Sequence, residues 1–211
     1  MTDGDRLQAP SPTLLYRLVA AASWPLVRFL FRTHWEGVEG LPEGGFVLAS
    51  NHASNFDAWP IGIGVRSRFM RFMTKAELFR PPLGPICRAL GGFPIHRGEP
   101  DRTALATAVS LCEEGNVVVM FPEGTRRAKG LLKRRVPEPH TGAARIALRA
   151  GVPLVPVGLS GTDRLSRLGP IRVRYGRAIE VGDLAELGRK QAAHVATERL
   201  MQEIEKLRTE P

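Results

Sequence analysis

The sequence predicts an α/β fold, a mainly parallel mixed sheet flanked by helices and preceded by an amphipathic helical segment. Three observations carry this. Short, strongly apolar runs such as FVLAS (46–50), NVVVMF (116–121) and VPLVPVGL (152–159) have the length and composition of buried strands. Segments with a 3.6-residue apolar period lie between such runs. The two kinds alternate along the chain, which is the arrangement of crossover-linked parallel strands.

Residues 1–12 are polar and Pro-rich and are expected to be a mobile tail. Residues 13–33 are expected to be an amphipathic, membrane-associating helical segment. The run LLYRLVAAASWPLVRFLF (14–31) is of membrane-spanning length, but Arg17 and Arg28 lie inside it and Pro25 interrupts it. Eleven residues make three helical turns, so the two arginines share a face near Trp24. Leu15, Leu18, Ala22, Leu26 and Phe29 fall opposite. The pattern fits one helix, or two short ones split at Pro25, lying in a membrane interface. A helix packed on the protein's own core is the alternative.

Residues 34–211 form the α/β domain. The first strong strand is 46–50, followed by 68–74, in which Phe69, Arg71 and Met73 alternate against Met70 and Phe72. Gly91-Gly92 introduces a short strand that ends at Arg97. A helix covers 101–114, with Leu105, Ala108, Val109 and Cys112 on one side, Asp101 as its cap and Gly115 as its stop. The strand 116–121 follows. A basic loop occupies 126–135. A helix over 141–150 is stopped by Gly151. The strand 152–159 contains Pro153 and Pro156, which suggest an edge or bulged strand. An alternating, half-exposed strand spans 171–179, and a charged helix with Val195, Met201, Ile204 and Leu207 on one face spans 191–207.

Thirty Lys and Arg against twenty-one Asp and Glu give a formal charge of +9, which favours anionic partners. No nucleic-acid module or stacking-aromatic pattern accompanies the charge, so nucleic acid is not an expected partner. The two cysteines, Cys87 and Cys112, form no CxxC or metal-spaced cluster. They are expected to be reduced, half-buried thiols, and no metal site is expected.

Asn51-His52-Ala-Ser-Asn-Phe-Asp57 directly follows the first strong strand. Active sites of open α/β sheets lie beyond the carboxyl ends of strands. In one continuous helix, positions i and i+5 do not meet. They meet if His52 sits in the turn before a helix and Asp57 in its opening turns, with Ser54 and Asn55 forming the bend. A carboxylate on one ring nitrogen fixes the tautomer and leaves the other nitrogen as a base. No Ser or Cys completes a triad: GLSG (158–161) is not a nucleophile elbow. The nucleophile is then a substrate hydroxyl; a capping His beside a surface Asp is the bland alternative. In GGFPIHR (91–97) the glycines admit close approach of a ligand and Arg97 offers a fork suited to phosphate. In FPEGTR (121–126), at the end of another strand, Glu123 and Arg126 project from a loop beside the sheet's edge. They either pair with each other or hold a polar headgroup between them.

Together these elements resemble the glycerolipid acyltransferase family. Asn51-His52-x-x-x-x-Asp57 resembles its first motif, Gly92 to Arg97 its second, Phe121 to Arg126 its third and Val152-Pro153-Leu154-Val155-Pro156 its fourth, over about residues 35–180. His96 stands where an acidic residue commonly precedes the arginine, and the insert after the third motif is longer and more basic than usual. The resemblance implies His52 as general base and Asp57 as its orienter. It implies that Arg97, Glu123, Gly124, Thr125, Arg126 and Lys75 bind a phosphate-bearing acceptor, lysophosphatidate or a related lysolipid. The donor would be acyl-CoA or acyl-acyl carrier protein as co-substrate, with no cofactor or metal. The partners would then be a lipid acceptor, the donor and an anionic membrane surface. The place would be the cytoplasmic face of a membrane, bound peripherally or monotopically. Acceptors other than phosphatidate precursors, and a non-enzymatic anionic-membrane binder, are the competing readings.

Overall fold

The computed structural model describes residues 11–95, 101–124 and 138–210. Helix α1 (Leu14–Pro25) runs into a π-helical turn (Leu26–Leu30) and then β1 (His34–Glu36). The core units follow in chain order: β2 (Phe46–Ser50), α2 (Ala58–Gly64), β3 (Met70–Lys75), α3 (Leu83–Ala89), β4 (Gly92–Ile95), α4 (Arg102–Glu113), β5 (Val117–Met120), α5 (Gly142–Ala150), β6 (Leu154–Ser160), β7 (Arg172–Tyr175) and α6 (Arg189–Thr209).

The strands form one seven-stranded sheet in the order β1-β7-β6-β2-β5-β3-β4. Every pair is parallel except β6 with β7. The expected mainly parallel α/β sheet is therefore what the chain builds. Its central strands are valine-rich because both faces are covered. On one face, Val47, Ala49, Val118 and Leu154 pack against Ala108 and Cys112 of α4, Ala144 and Ile146 of α5, and Ala196 and Leu200 of α6. On the other, Phe46, Leu48, Val119 and Val155 pack against Ile61 of α2 and Tyr175. Gly158 lets α6 lie close on β6: a Cβ there would stand 2.6 Å from the Arg208 nitrogen.

Local signals hold where the chemistry is short-range. Asp101 caps α4, its side chain accepting from the Ala104 N–H at 2.8 Å, and Gly115 and Gly151 both adopt positive φ beyond helix ends. Both cysteines are free; Cys112 is buried and Cys87 half-buried. Burial pushes the Cys112 thiol up to about 12.

Two expectations are corrected. The strand with Pro153 and Pro156 is interior, between β2 and β7. Pro156 is tolerated there because it lies just past the last β6–β7 pair, Val157 with Tyr175, where its carbonyl accepts from the Gly176 N–H at 2.8 Å and the side-chain-free Gly176 leaves room for its ring. Strand β7 is shorter than the alternating run and mostly buried; Arg174 on it is covered and paired with Glu36 at 2.9 Å.

The helical segment does not break at Pro25. A π-helical turn continues it, shifting the phase that would have aligned Arg28 with Arg17. Tyr16 and Val27 face the protein, with Tyr16 edge-on to Phe69 at 5.2 Å, whereas Leu14, Leu18 and Phe29 are 71%, 58% and 67% exposed. Among the described residues no helix is long and apolar enough to cross a membrane. The expected mobile tail (its residues 1–10) and basic loop lie outside the described residues.

Candidate active site

The connection from β2 runs through α2 to β3 on one side, and the connection from β5 runs through α5 to β6 on the other. The crevice beyond the carboxyl ends of β2 and β5 is therefore a topological switch point, the usual ligand position in such a sheet. His52 follows β2 and Phe121–Gly124 follow β5, so the two motifs face each other across it. The His52 ring stacks on the Phe121 ring, centroids 4.4 Å apart at 27°.

Residues 51–57 fold back on themselves. The Asp57 N–H donates to the Ser54 carbonyl at 3.2 Å and the Phe56 N–H to Ser54 Oγ at 3.3 Å, forming the expected bend. Asp57 then stands at the N-terminal boundary of α2, fully buried. Its Oδ2 accepts three donors: His52 Nδ1–H at 2.8 Å, the Ala53 N–H at 2.7 Å and the Ser54 N–H at 2.9 Å. Donation from Nδ1 fixes the tautomer that leaves His52 Nε2 as the acceptor. The structure thus brings His52 and Asp57 together, and Asp57 is interior and not a surface residue.

Asn51 opens the first motif of the sequence, which gave it no role of its own. It is buried, its Nδ2 donates to the Leu159 carbonyl at 2.9 Å and its Oδ1 accepts from the Leu159 N–H at 2.8 Å. The side chain continues the β2–β6 ladder one step past the last paired residues, Ser50 and Val157. Only an amide offers a donor and an acceptor in this backbone-like arrangement. An Asn placed directly after a buried strand and before the candidate base was the available signal.

The other site residues separate. Lys75 closes β3, exposed, two strand positions from β2, or about 10 Å. Glu123 does not project at the sheet's edge: it is 3% exposed and follows an interior strand. The Arg208 guanidinium is raised chiefly by its hydrogen bond to Glu205, with a smaller contribution from the Glu123 charge, so Glu123 lies within electrostatic reach of α6. Gly124 has φ +65°, with the His140 ring against its α-carbon where any side chain would collide. Arg97, Thr125 and Arg126 lie outside the described residues.

An apolar groove of about 490 Å³ runs beside the His52–Asp57 turn, lined by Tyr16 and Val19 of α1, Phe56, Trp59 and Ile63 around α2, and Phe72 of β3. Burial raises the Tyr16 hydroxyl. Among the described residues no group of His, Cys, Asp and Glu is placed to hold a metal ion.

The family model for acyltransferases matches residues 32–160, a span that contains the whole crevice. The chain belongs to the acyltransferase family. A 1-acyl-sn-glycerol-3-phosphate acyltransferase of Bacillus subtilis is 31% identical over 174 residues, covering 80% of this chain and 84% of that protein. A chloroplastic protein of the same name from Arabidopsis thaliana is 31% identical over 144 residues, covering 66% of this chain and 39% of its own. The crystal structure of the 1-acyl-sn-glycerophosphate acyltransferase from Thermotoga maritima shares the fold, with a TM-score of 0.67 over 93% of this chain and 80% of that one, at 22% identity. This acyltransferase is accordingly an enzyme with the mixed sheet expected of it, and its family implies an acyl donor and a lipid acceptor.

Proposed function

We propose that this acyltransferase moves a fatty acyl group from acyl-CoA or acyl-acyl carrier protein to the free hydroxyl of 1-acylglycerol 3-phosphate, at the surface of a membrane. The observation that carries the reading is the buried Asp57 carboxylate, whose Oδ2 receives His52 Nδ1–H and two backbone N–H groups beside an apolar groove. His52 Nε2 takes the proton of the acceptor hydroxyl as its oxygen attacks the thioester carbonyl carbon. The tetrahedral intermediate expels the thiolate, which recovers the proton from His52. Asp57 steadies the imidazolium between those two transfers. The donor's thioester is already activated, so this chemistry calls on no cofactor. The groove suits an acyl chain, and the names of the relatives support the acceptor. Arg97, Arg126, Glu123, Gly124, Thr125 and Lys75 are the proposed acceptor-binding set, with the arginine forks taking the phosphate.

The test of mechanism is His52→Ala. We expect turnover to fall by about 10²–10⁴-fold with an unchanged circular dichroism spectrum; near-normal turnover sinks the general-base role. The test of substrate is a panel with one acyl-CoA and the matching acyl carrier protein thioester. The acceptors are lysophosphatidate, glycerol 3-phosphate and a lyso-aminolipid without phosphate. Lysophosphatidate should be preferred, and Arg97→Lys should weaken its use more than the use of donor, because Lys keeps the charge and loses the fork. Preference for the phosphate-free acceptor overturns the phosphate assignment and leaves the His52 chemistry standing.

A further inference from the structure

Helix α1 has a groove on each flank. The apolar one described above lies on the Val19 and Ser23 side. On the other side, a second cleft of about 490 Å³ is lined by Arg17, Ala20, Ala21, Gly64, Arg66 and Ser67. Ala20 forms part of both walls, so one helix separates the two. Small residues make the floor of the second cleft, and its polar lining is cationic, with a hydroxyl and no carboxylate.

Both arginines are exposed, and neither has an ion-pair partner among the described residues. Arg66 is nevertheless held: its guanidinium lies over the Trp24 ring, 5.0 Å from the centroid. Trp24 stands seven residues after Arg17, two helical turns along the same flank of α1. Stacking fixes the plane of the guanidinium and leaves its N–H edges free, the state in which an arginine fork meets phosphate oxygens at low entropic cost. Beside the cleft, Phe29 stands edge-on to Trp24, centroids 5.9 Å apart, and is exposed, as are Leu14 and Leu18 of α1 on either side of Arg17 in the sequence. A phosphate-bearing group bound here would have apolar surface on one side and cations on the other, as a phospholipid at a bilayer surface does. An acidic protein would satisfy the arginines but leave that apolar surface in water.

We propose that the Arg17–Arg66 cleft binds the phosphate of an anionic phospholipid headgroup. The site lies across α1 from the apolar groove, and the proposal rests on the membrane-surface placement proposed above. The site seats α1 so that the apolar groove on the opposite flank opens into the acyl region of the bilayer, where a lipid acceptor enters. The arginines have no role in the acyl transfer step itself.

Sedimentation of the full chain with vesicles of phosphatidylcholine, and of phosphatidylcholine mixed equally with phosphatidylglycerol, tests the proposal. The variants are Arg17→Gln/Arg66→Gln, Arg17→Lys/Arg66→Lys and, as a charge-matched control, Arg149→Gln/Arg189→Gln on the opposite face of the sheet. The unmodified chain should prefer the anionic vesicles. The Gln pair should lose about thirtyfold of that preference, from two basic residues near an anionic surface. The Lys pair keeps the charge and loses the fork, so it should fall below the unmodified chain but keep more of the preference than the Gln pair, and the control should lose little. Inorganic phosphate should compete weakly. If the Lys pair binds like the unmodified chain, or the Gln pair like the control, the cleft is not a site. Full displacement by inorganic phosphate overturns the lipid assignment in favour of a simple anion site. Loss of acyl carrier protein binding in the Gln pair, with vesicle binding intact, overturns it in favour of a protein partner. Failure of the unmodified chain to sediment with either vesicle sinks the membrane placement and the cleft together, whereas equal sedimentation with both sinks the cleft alone. Acyl transfer to detergent-dispersed lysophosphatidate is measured separately, and its absence in the unmodified chain counts against the proposed function, not the cleft.

Discussion

At the scale of single residues, the crevice depends on side chains that imitate backbone. Asn51 extends a parallel ladder, and Asp57 gathers the turn's own N–H groups around the oxygen that also holds His52. His52 is the next residue after Asn51, so any slip of the strand end moves the base. Asn51→Ala leaves the Leu159 N–H and carbonyl buried without partners, at a cost of about 1–3 kcal/mol for an unsatisfied group. We expect an unfolding free energy lowered by about that amount and a turnover number reduced at least about tenfold with little change in KM, the signature of a displaced base. Unchanged turnover with lowered stability would make Asn51 a structural tie only. The sequence made His52 and Asp57 readable because their spacing has few geometries that bring them together. It left Asn51 and the Phe121 stack unread because both are contacts across the sheet, between residues 108 and 69 positions apart, and no local period records those.

At the scale of elements, α4 was legible from its cap and stop and α5 from its stop, signals that act within one turn, and the central strands from their valine content, whereas α3 was not read. Strand β1 was not, since three residues carrying His, Trp and Glu have no strand-like pattern and are held by pairing with β7. The interior position of β6 was misread for a related reason. Proline excludes a ladder only where its nitrogen must donate, and which side that nitrogen faces is a tertiary fact. The N-terminal segment packs on the domain along part of its length, as one of the two alternatives weighed for it has it. One face packs on the domain through Tyr16 and Val27, and the other is exposed and apolar. That exposed stripe gives an expectation separate from charge. Leu18→Glu with Phe29→Glu should lower sedimentation with neutral phosphatidylcholine vesicles by at least about tenfold, since burial of each large apolar side chain contributes about 1.5–3 kcal/mol. The folded domain should keep its melting temperature, because both side chains lie outside the core. Unaltered sedimentation would assign the stripe to some other contact.

At the scale of the molecule, the sheet separates two hydrophobic layers, and among the described residues each contains an ionisable group that is buried in its neutral form. Cys112 lies in the layer of α4, α5 and α6, and Tyr175 in the layer of α2, where its hydroxyl donates to the Ile61 carbonyl at 2.6 Å. Burial raises both, the Cys112 thiol from 9.0 to about 12 and Tyr175 further in the same direction. In each case the folded state holds its proton at a pH where the unfolded chain has released it. Stability is therefore undiminished below the unfolded value and falls as pH rises through the window above it. For Cys112 that window runs from 9.0 to about 12. The thiol alone removes on the order of 4 kcal/mol by its upper end, three units at about 1.4 kcal/mol each. Tyr175 begins to contribute within the same window, from the ordinary tyrosine value of 10.0. Because the two groups sit on opposite faces of one sheet, their effects should add, and alkaline unfolding should remain a single transition. Melting temperatures measured across the window should decline steadily. Cys112→Ala should start lower, through lost packing, but decline less steeply. A variant that declines as steeply as the unmodified chain would show that the thiol is not what limits alkaline stability, and two separated transitions would show that the layers on the two faces of the sheet unfold independently.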